Sequence, residues 1–306
     1  MQKKQIQIKQ NYFIITLFVF LSSVQLIAQE DSIYIPEIEL TTISQVNIGN
    51  SYITFPTDIG NIESLWFEAN LTPSFYIRKS KNARLMGVLT AQIIIRMFQE
   101  ESYPVRTPSY MPQVTVYYKL RSKTNACSLS AFAKLAHHSN GQDGDFYLED
   151  GAINLKTGNF STNYTEFGLI KTNFNKKRNA AQFFSSSFEF HFPGLTIDEL
   201  DGQYSLYRWH NIFSIFKLPE NKNKKREKAS ISLKGELTWL FGNMYDWNAL
   251  DANRINLKFT FFYHPKFLED IGFFTQFYHG QDYYNIYFDH QITILRFGIM
   301  TEKLKF

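Results

Sequence analysis

From about Asn61 onward, apolar and polar residues alternate over segments of about ten residues, separated by polar, Gly-, Pro- or charge-rich turns. Ile231, Leu233, Gly235, Leu237, Trp239 and Phe241 alternate with Ser230, Ser232, Lys234, Glu236 and Thr238. Ile255, Leu257, Phe259, Phe261 and Tyr263 repeat the pattern against Asn256, Lys258 and Thr260, and Val114, Val116, Tyr118 and Leu120 do so against Thr115, Tyr117 and Lys119. A period of two is the strand period, so each segment has one apolar face and one face that carries charge. Segments of this length exceed the usual strands of a soluble sandwich and match those of membrane-spanning barrels. The reading is all-β: a transmembrane antiparallel β-barrel of about 12 strands, centred near residues 52, 71, 91, 117, 133, 167, 188, 210, 236, 259, 275 and 296. An even count returns both ends to one side. The turns near 79–83, 121–126, 174–180, 218–228 and 265–270 then share that side and hold basic runs such as NKKR. The turns on the other side carry much of the Gly, Pro and acid.

The first 28 residues have a different character. A basic stretch through Lys9, an apolar core YFIITLFVFL and a polar SSVQLIAQ read as a signal peptide, 1–28, cleaved after Ala28 or Gln29. The apolar run is too short to span a bilayer as a helix, which takes about 20 residues. Residues 29–60 form an N-terminal segment with a probable first strand, and 61–306 form the barrel. The expected location is the bacterial outer membrane, with multiple spans. The net charge of +4 includes three lysines of the leader, Lys3, Lys4 and Lys9, so the remaining chain is nearly neutral and nothing argues for a nucleic-acid partner. The single cysteine, Cys127, excludes an intramolecular disulfide and any multi-cysteine zinc site.

Chemistry concentrates in LSAFAKLAHHSNG, Leu129 to Gly141. His137 and Ser139 share a face with Leu135, Ala133 and Ala131, while His138 points the other way. In a barrel that face meets lipid, where polar groups are costly and usually functional. A serine nucleophile needs a base within reach and a third group to orient the base. In a hairpin returning through STNYTEFGL, Asn163 comes level with His137. No GxSxG elbow occurs, so an α/β-hydrolase finds no support.

HHSNG followed by S-x-N resembles the outer-membrane phospholipase A family (phosphatidylcholine 1-acylhydrolase). Similar stretches run from Gly87 to Phe306: GVLTAQ at 87–92, Pro104-Val105-Arg106, Tyr110 with Pro112-Gln113, FYHGQDYYNIYFDHQ and RFGIMTEKLKF. The resemblance implies a twelve-stranded barrel and a calcium-dependent phospholipase A (A1, A2 and lysophospholipase activities) working as a homodimer on bilayer phospholipid. It assigns His137 as base, Ser139 as nucleophile, Asn163 as the orienting residue, and the amide near Gly141 to the oxyanion. It also implies Ca2+ ligands at Gln142, Asp143 and Asp145 with Ser102 from a partner subunit, and Gln92 at the dimer interface. The connection from Gly141 to Asn163 is longer than the family pattern. A non-catalytic barrel, such as a channel or adhesin, and a phospholipase that has lost activity stay open as alternatives.

Overall fold

The computed structural model describes residues 35–306 apart from 81, 103, 125, 220–227, 302, 303 and 305. The expected signal peptide, 1–28, lies outside the described residues. Helix α1 (Leu40–Ile48) is followed by β1 (Tyr52–Thr54) and β2, which runs in two segments, Leu65–Leu71 and Ser74–Ile77. Then come β3 (Leu85–Phe98), β4 (Ser109–Thr124), β5 (Cys127–Ser139), β6 (Ser161–Asn175), β7 (Ala180–His191), β8 (Tyr207–Lys217), β9 (Ile231–Phe241), β10 (Ile255–Tyr263), β11 (Ile271–Gln281) and β12 (Gln291–Thr301). Each strand pairs antiparallel with its chain neighbours. Tyr52 of β1 lies opposite both Asn70 of β2 and Met300 of β12, so the sheet closes. The result is a closed twelve-stranded antiparallel barrel, and every expected strand centre falls within a strand.

The period of two sorts the side chains as the pattern requires. Leu85, Leu89, Val114, Val116, Phe167, Leu169, Phe259 and Phe261 are exposed on the outer wall, whereas Glu68, Arg96, Glu166, Glu189 and Arg296 are buried inside. The outer face is therefore the apolar one. Trp66 interrupts the ladder of β2, and this bulge turns Leu65 inward although Leu71, of the same parity, is exposed. Inside, charges are paired: Arg96 grips Asp282 at 2.7 and 2.8 Å and Glu68 at 2.9 Å, Arg296 reaches Glu68 at 2.5 Å, and Lys134 meets Glu166 at 2.5 Å. Such pairing offsets the cost of withdrawing charge from water. A polar cavity of about 270 Å³ remains among them, lined by Glu189, His191, Arg208, Asp282 and their neighbours.

Loops cover the cavity at the end away from the termini. There Phe146, Phe160, Leu200, Tyr204, Tyr284, Tyr287 and Phe288 form one buried cluster. At the other end α1 sits against the inner wall, burying Ile38, Leu40, Ile43 and Val46 with Met86, Tyr117, Phe132, Phe183 and Phe306. Asn47 Nδ2 donates to the Tyr117 hydroxyl at 2.9 Å. The sequence LTTISQVNI has no side-chain N-cap bond and is rich in β-branched residues, which are weak helix formers. Enclosure in the barrel, rather than local propensity, holds this turn of chain as a helix.

Candidate active site

Strand β5 ends in an alternation of inner anchors and outer reactive groups. His138 is buried, its Nε2 3.1 Å from Ser109 Oγ and its ring 4.9 Å from Phe160, edge-on. Asn140 is buried too. Its Nδ2 donates to Gly158 O at 2.8 Å, and its Oδ1 accepts from Phe160 N at 3.0 Å and Gln142 N at 3.2 Å. These anchors fix the strand end and the start of the following loop. His137 and Ser139 are left on the outer wall beside Leu135, which is 58% exposed.

The ladder puts His137 directly opposite Asn163, and Ser139 opposite Ser161 on one side and Tyr110 on the other. His137 Nδ1 and Asn163 Oδ1 are 3.0 Å apart. Asn163 Nδ2 donates to the carbonyl of Leu195 at 2.8 Å. That second bond decides the protonation pattern. A carbonyl only accepts, so the amide nitrogen must face Leu195 and the amide oxygen must face the histidine. Nδ1 therefore carries a proton, and in the neutral tautomer Nε2 presents a lone pair. Leu195 closes the turn Pro193–Leu195 after β7, which is pinned where Phe192 N donates to Asn163 O at 2.9 Å.

Ser139 lies two residues along from His137 on the same outer face, and no hydrogen bond joins them among the described contacts. Serine–base bonds are commonly long before substrate arrives. Gly141 has φ +67°, a conformation that L side chains avoid, and a Cβ there would meet the Tyr110 ring at 3.3 Å. Among the described residues its amide has no backbone acceptor. The geometry thus places a serine hydroxyl, an imidazole oriented by Asn163 and the Gly141 amide along one stretch of the apolar outer wall.

Two expectations fare differently. Gln92 points into the barrel, where its amide bonds Asn70 at 3.0 Å and accepts from Gln113 at 3.4 Å. It shares its parity with the buried Met86, Val88 and Thr90, and the outer positions of β3 are Leu85, Leu89 and Ala91. Gln92 is therefore not a lipid-face residue, and it does not lie at an interface formed by the outer wall. Of the expected Ca2+ ligands, Ser102, Asp143 and Asp145 are exposed and Gln142 half-buried. Carbonyl and carboxylate oxygens are the donor types calcium takes. Among the described residues, however, no group of three or more His, Cys, Asp or Glu is gathered to hold a metal.

The sequence reading did not find Leu195 O, Asn140 or the His138–Ser109 contact. Asn140 carried a signal, since parity sets it inward beside the reactive pair. Leu195 contributes only backbone.

The fold and site together define a closed antiparallel barrel with a histidine–asparagine pair on its apolar outer wall. No protein-family model matches the chain, and no curated protein sequence matches it. Among solved structures the chain is similar to outer membrane phospholipase A from Escherichia coli, with 13% identity, a TM-score of 0.57, and 86% of this chain and 98% of that one covered. It is equally similar to the Salmonella typhi outer membrane phospholipase dimer with bound calcium, at 13% identity and a TM-score of 0.57, covering 87% and 97%. An active-site mutant of the Escherichia coli protein aligns at 12% identity with a TM-score of 0.55. At these identities the likeness is one of fold.

Proposed function

We propose that the chain is an outer-membrane phospholipase A that hydrolyses acyl esters of glycerophospholipids with Ser139, His137 and Asn163. The observation that carries this reading is the His137–Asn163 bond of 3.0 Å, with Asn163 held in turn by Leu195 O, on the apolar outer wall. A structural barrel has no use for a tautomer-controlled imidazole on that face.

Ser139 Oγ attacks the ester carbonyl carbon as its proton passes to His137 Nε2. The imidazolium keeps its Nδ1–H on Asn163 Oδ1, and the Gly141 amide donates to the developing oxyanion. Collapse expels the glycerol-side alkoxide, which takes the proton back from Nε2. Water, deprotonated by the same nitrogen, then cleaves the acyl-serine and releases the fatty acid. Asparagine suits the orienting position because a carboxylate facing hydrocarbon would carry a heavy desolvation cost.

The Gln142 carbonyl, Asp143 and Asp145, with Ser102 of a second copy, are proposed to hold Ca2+ when two barrels associate through their outer walls. Bound there, the ion would supply positive charge to stabilise the oxyanion. The test is fatty-acid release from mixed phospholipid micelles by the full chain and by Ser139→Ala, each with calcium and with chelator. Release that needs calcium and vanishes in the variant is the expected result. Absence of release from a folded barrel overturns the enzyme reading in favour of a non-catalytic barrel.

A further inference from the structure

Opposite the candidate site, the same wall of the barrel ends in a collar of cations. The turns and strand ends at 78–84, 119–128 and 171–179 contain no aspartate or glutamate. They carry Arg78, Lys79, Arg84, Lys119, Arg121, Lys123, Lys171, Lys176, Lys177 and Arg178. Arg78 is engaged by the helix segment, bonding Thr41 at 2.5 Å with Glu39 3.7 Å away. Lys217 of the next strand joins the collar, its Nζ donating to Arg178 O at 2.6 Å. Carboxylates return in the turn 218–228, which holds Glu220 and Glu227, and Lys228 there pairs with Asp270 of the turn 265–270 at 2.6 Å.

Three of these cations lie on the outer wall rather than at the turn tips. Arg121 and Lys171 both stand opposite Leu129, one from each neighbouring strand, so all three side chains emerge on one face. Two interstrand spacings separate Arg121 from Lys171, about 10 Å between backbones, which two long side chains can close around one phosphate. Arg84 lies over the outward Tyr118 ring at 5.4 Å and donates to Lys119 O and Leu120 O. Leu169 and Phe184 supply apolar surface alongside.

Leu129 is ten residues down β5 from Ser139. At about 3.3 Å per residue and a tilt of about 45°, that is roughly 23 Å across the membrane. The apolar band of an outer-membrane barrel is about 25 Å tall, so the two sites sit at its opposite edges.

We propose that Arg121 and Lys171, with Arg84 and Tyr118 beside them, form a headgroup site for an anionic phospholipid of the leaflet on the terminus side. A phosphodiester answers the paired cations, and its acyl chains answer the leucine, phenylalanine and alanine wall rising toward Ser139. A soluble anion would match only the cations. A protein or glycan partner would be met at the turn tips, not on the lipid-facing wall.

The test uses the full chain carrying Ser139→Ala, so that bound lipid stays intact whether or not the proposed esterase activity exists. Retention of phosphatidylglycerol and of phosphatidylcholine is read by native mass spectrometry from detergent micelles. Phosphatidylglycerol should be retained better by about fivefold or more, the scale set by one basic residue near a membrane surface. Arg121→Gln with Lys171→Gln should abolish the preference; Arg121→Lys with Lys171→Arg should keep it, as should Lys176→Gln with Lys177→Gln at the turn tip. Folding of each variant is checked by heat-modifiable gel migration. The idea fails if the Gln pair keeps the preference, if the turn-tip pair loses it, or if millimolar inorganic phosphate displaces the lipid. It also fails if the Gln pair instead loses binding to peptidoglycan.

Discussion

Replacing Asn163 with alanine removes the acceptor 3.0 Å from His137 Nδ1 and the donor 2.8 Å from Leu195 O while leaving nucleophile and base in place. In the resting site the lost bond joins neutral groups and is worth about 1 kcal/mol net. When His137 holds the serine proton the bond becomes charge-assisted, worth about 1.5–3 kcal/mol. Only the difference, about 0.5–2 kcal/mol, acts on the barrier, so kcat should fall by about 2- to 30-fold. KM should hardly move, because Asn163 touches the imidazole and not the ester. Asn163→Asp should not restore activity. Its second oxygen would replace Nδ2 at the 2.8 Å contact with the Leu195 carbonyl, setting two acceptors face to face. The assay is steady-state hydrolysis of phosphatidylcholine in mixed micelles, with barrel folding checked by gel migration. A kcat indistinguishable from wild type for Asn163→Ala, or a loss confined to KM, would refute the orienting role.

Gly141→Ala should lower activity in a barrel that still folds, because φ +67° costs a side chain about 1 kcal/mol and the new Cβ presses on Tyr110 at 3.3 Å; parallel activity and gel-shift measurements check it. Arg96→Met leaves Glu68 and Asp282 with one guanidinium fewer, and breaking such a buried cluster typically costs about 3–5 kcal/mol. Urea unfolding in detergent should show a much lower midpoint, and an unchanged midpoint would mean that Arg296 alone balances Glu68. In the loop before β2, burial acts to raise the Glu63 carboxyl, but hydrogen bonds from Arg106 and Tyr287 outweigh it and hold the group below its usual range. Its contribution to loop docking is therefore complete above the ordinary carboxylate pKa of about 4.3 and is lost as pH falls through the lower folded value. Proteolysis of residues 99–108 should increase only below about pH 4, and Glu63→Gln should weaken this pH dependence.

Strand number, register and the lipid-facing trio were legible because a period of two writes the side of each residue directly into the sequence. His137, Ser139 and Asn163 needed only parity and one hairpin to meet. The same rule gave no answer in β3, where LMGVLTAQIIIRMF is apolar on both faces: Met86, Val88 and Ile94 fill the interior while Leu89 and Ala91 face outward. With both faces apolar, nothing in the local pattern said which way Gln92 turned, and the interior amides of Asn70 and Gln113 claimed it. Helix α1 was hidden for the opposite reason. Its residues are poor helix formers, and the barrel wall that shelters them is assembled from strands far along the chain. Leu195 acts through a carbonyl, which no residue type announces.

The end of β5 explains how polar groups can persist on an otherwise apolar outer wall. Each outward group there is flanked by an inward one with its bonds satisfied: His138 by Ser109, and Asn140 by Gly158, Phe160 and Gln142. Asn285 extends that support, donating from Nδ2 to Ser109 Oγ at 2.9 Å and to Thr107 O at 2.6 Å. Ser109 accepts from Asn285, so its own proton is available to His138 Nε2, and the inner histidine is held as firmly as the outer one. The inward groups at this strand end thus serve as scaffold, and the bonds they make to one another offset the cost of burying them. On the outside, cost is limited by the choice of groups: a serine, an imidazole bonded through Nδ1, and an amide in place of a carboxylate. In the proposed mechanism the charge on the imidazole peaks while it holds the proton of Ser139, which is when the Asn163 bond would be strongest.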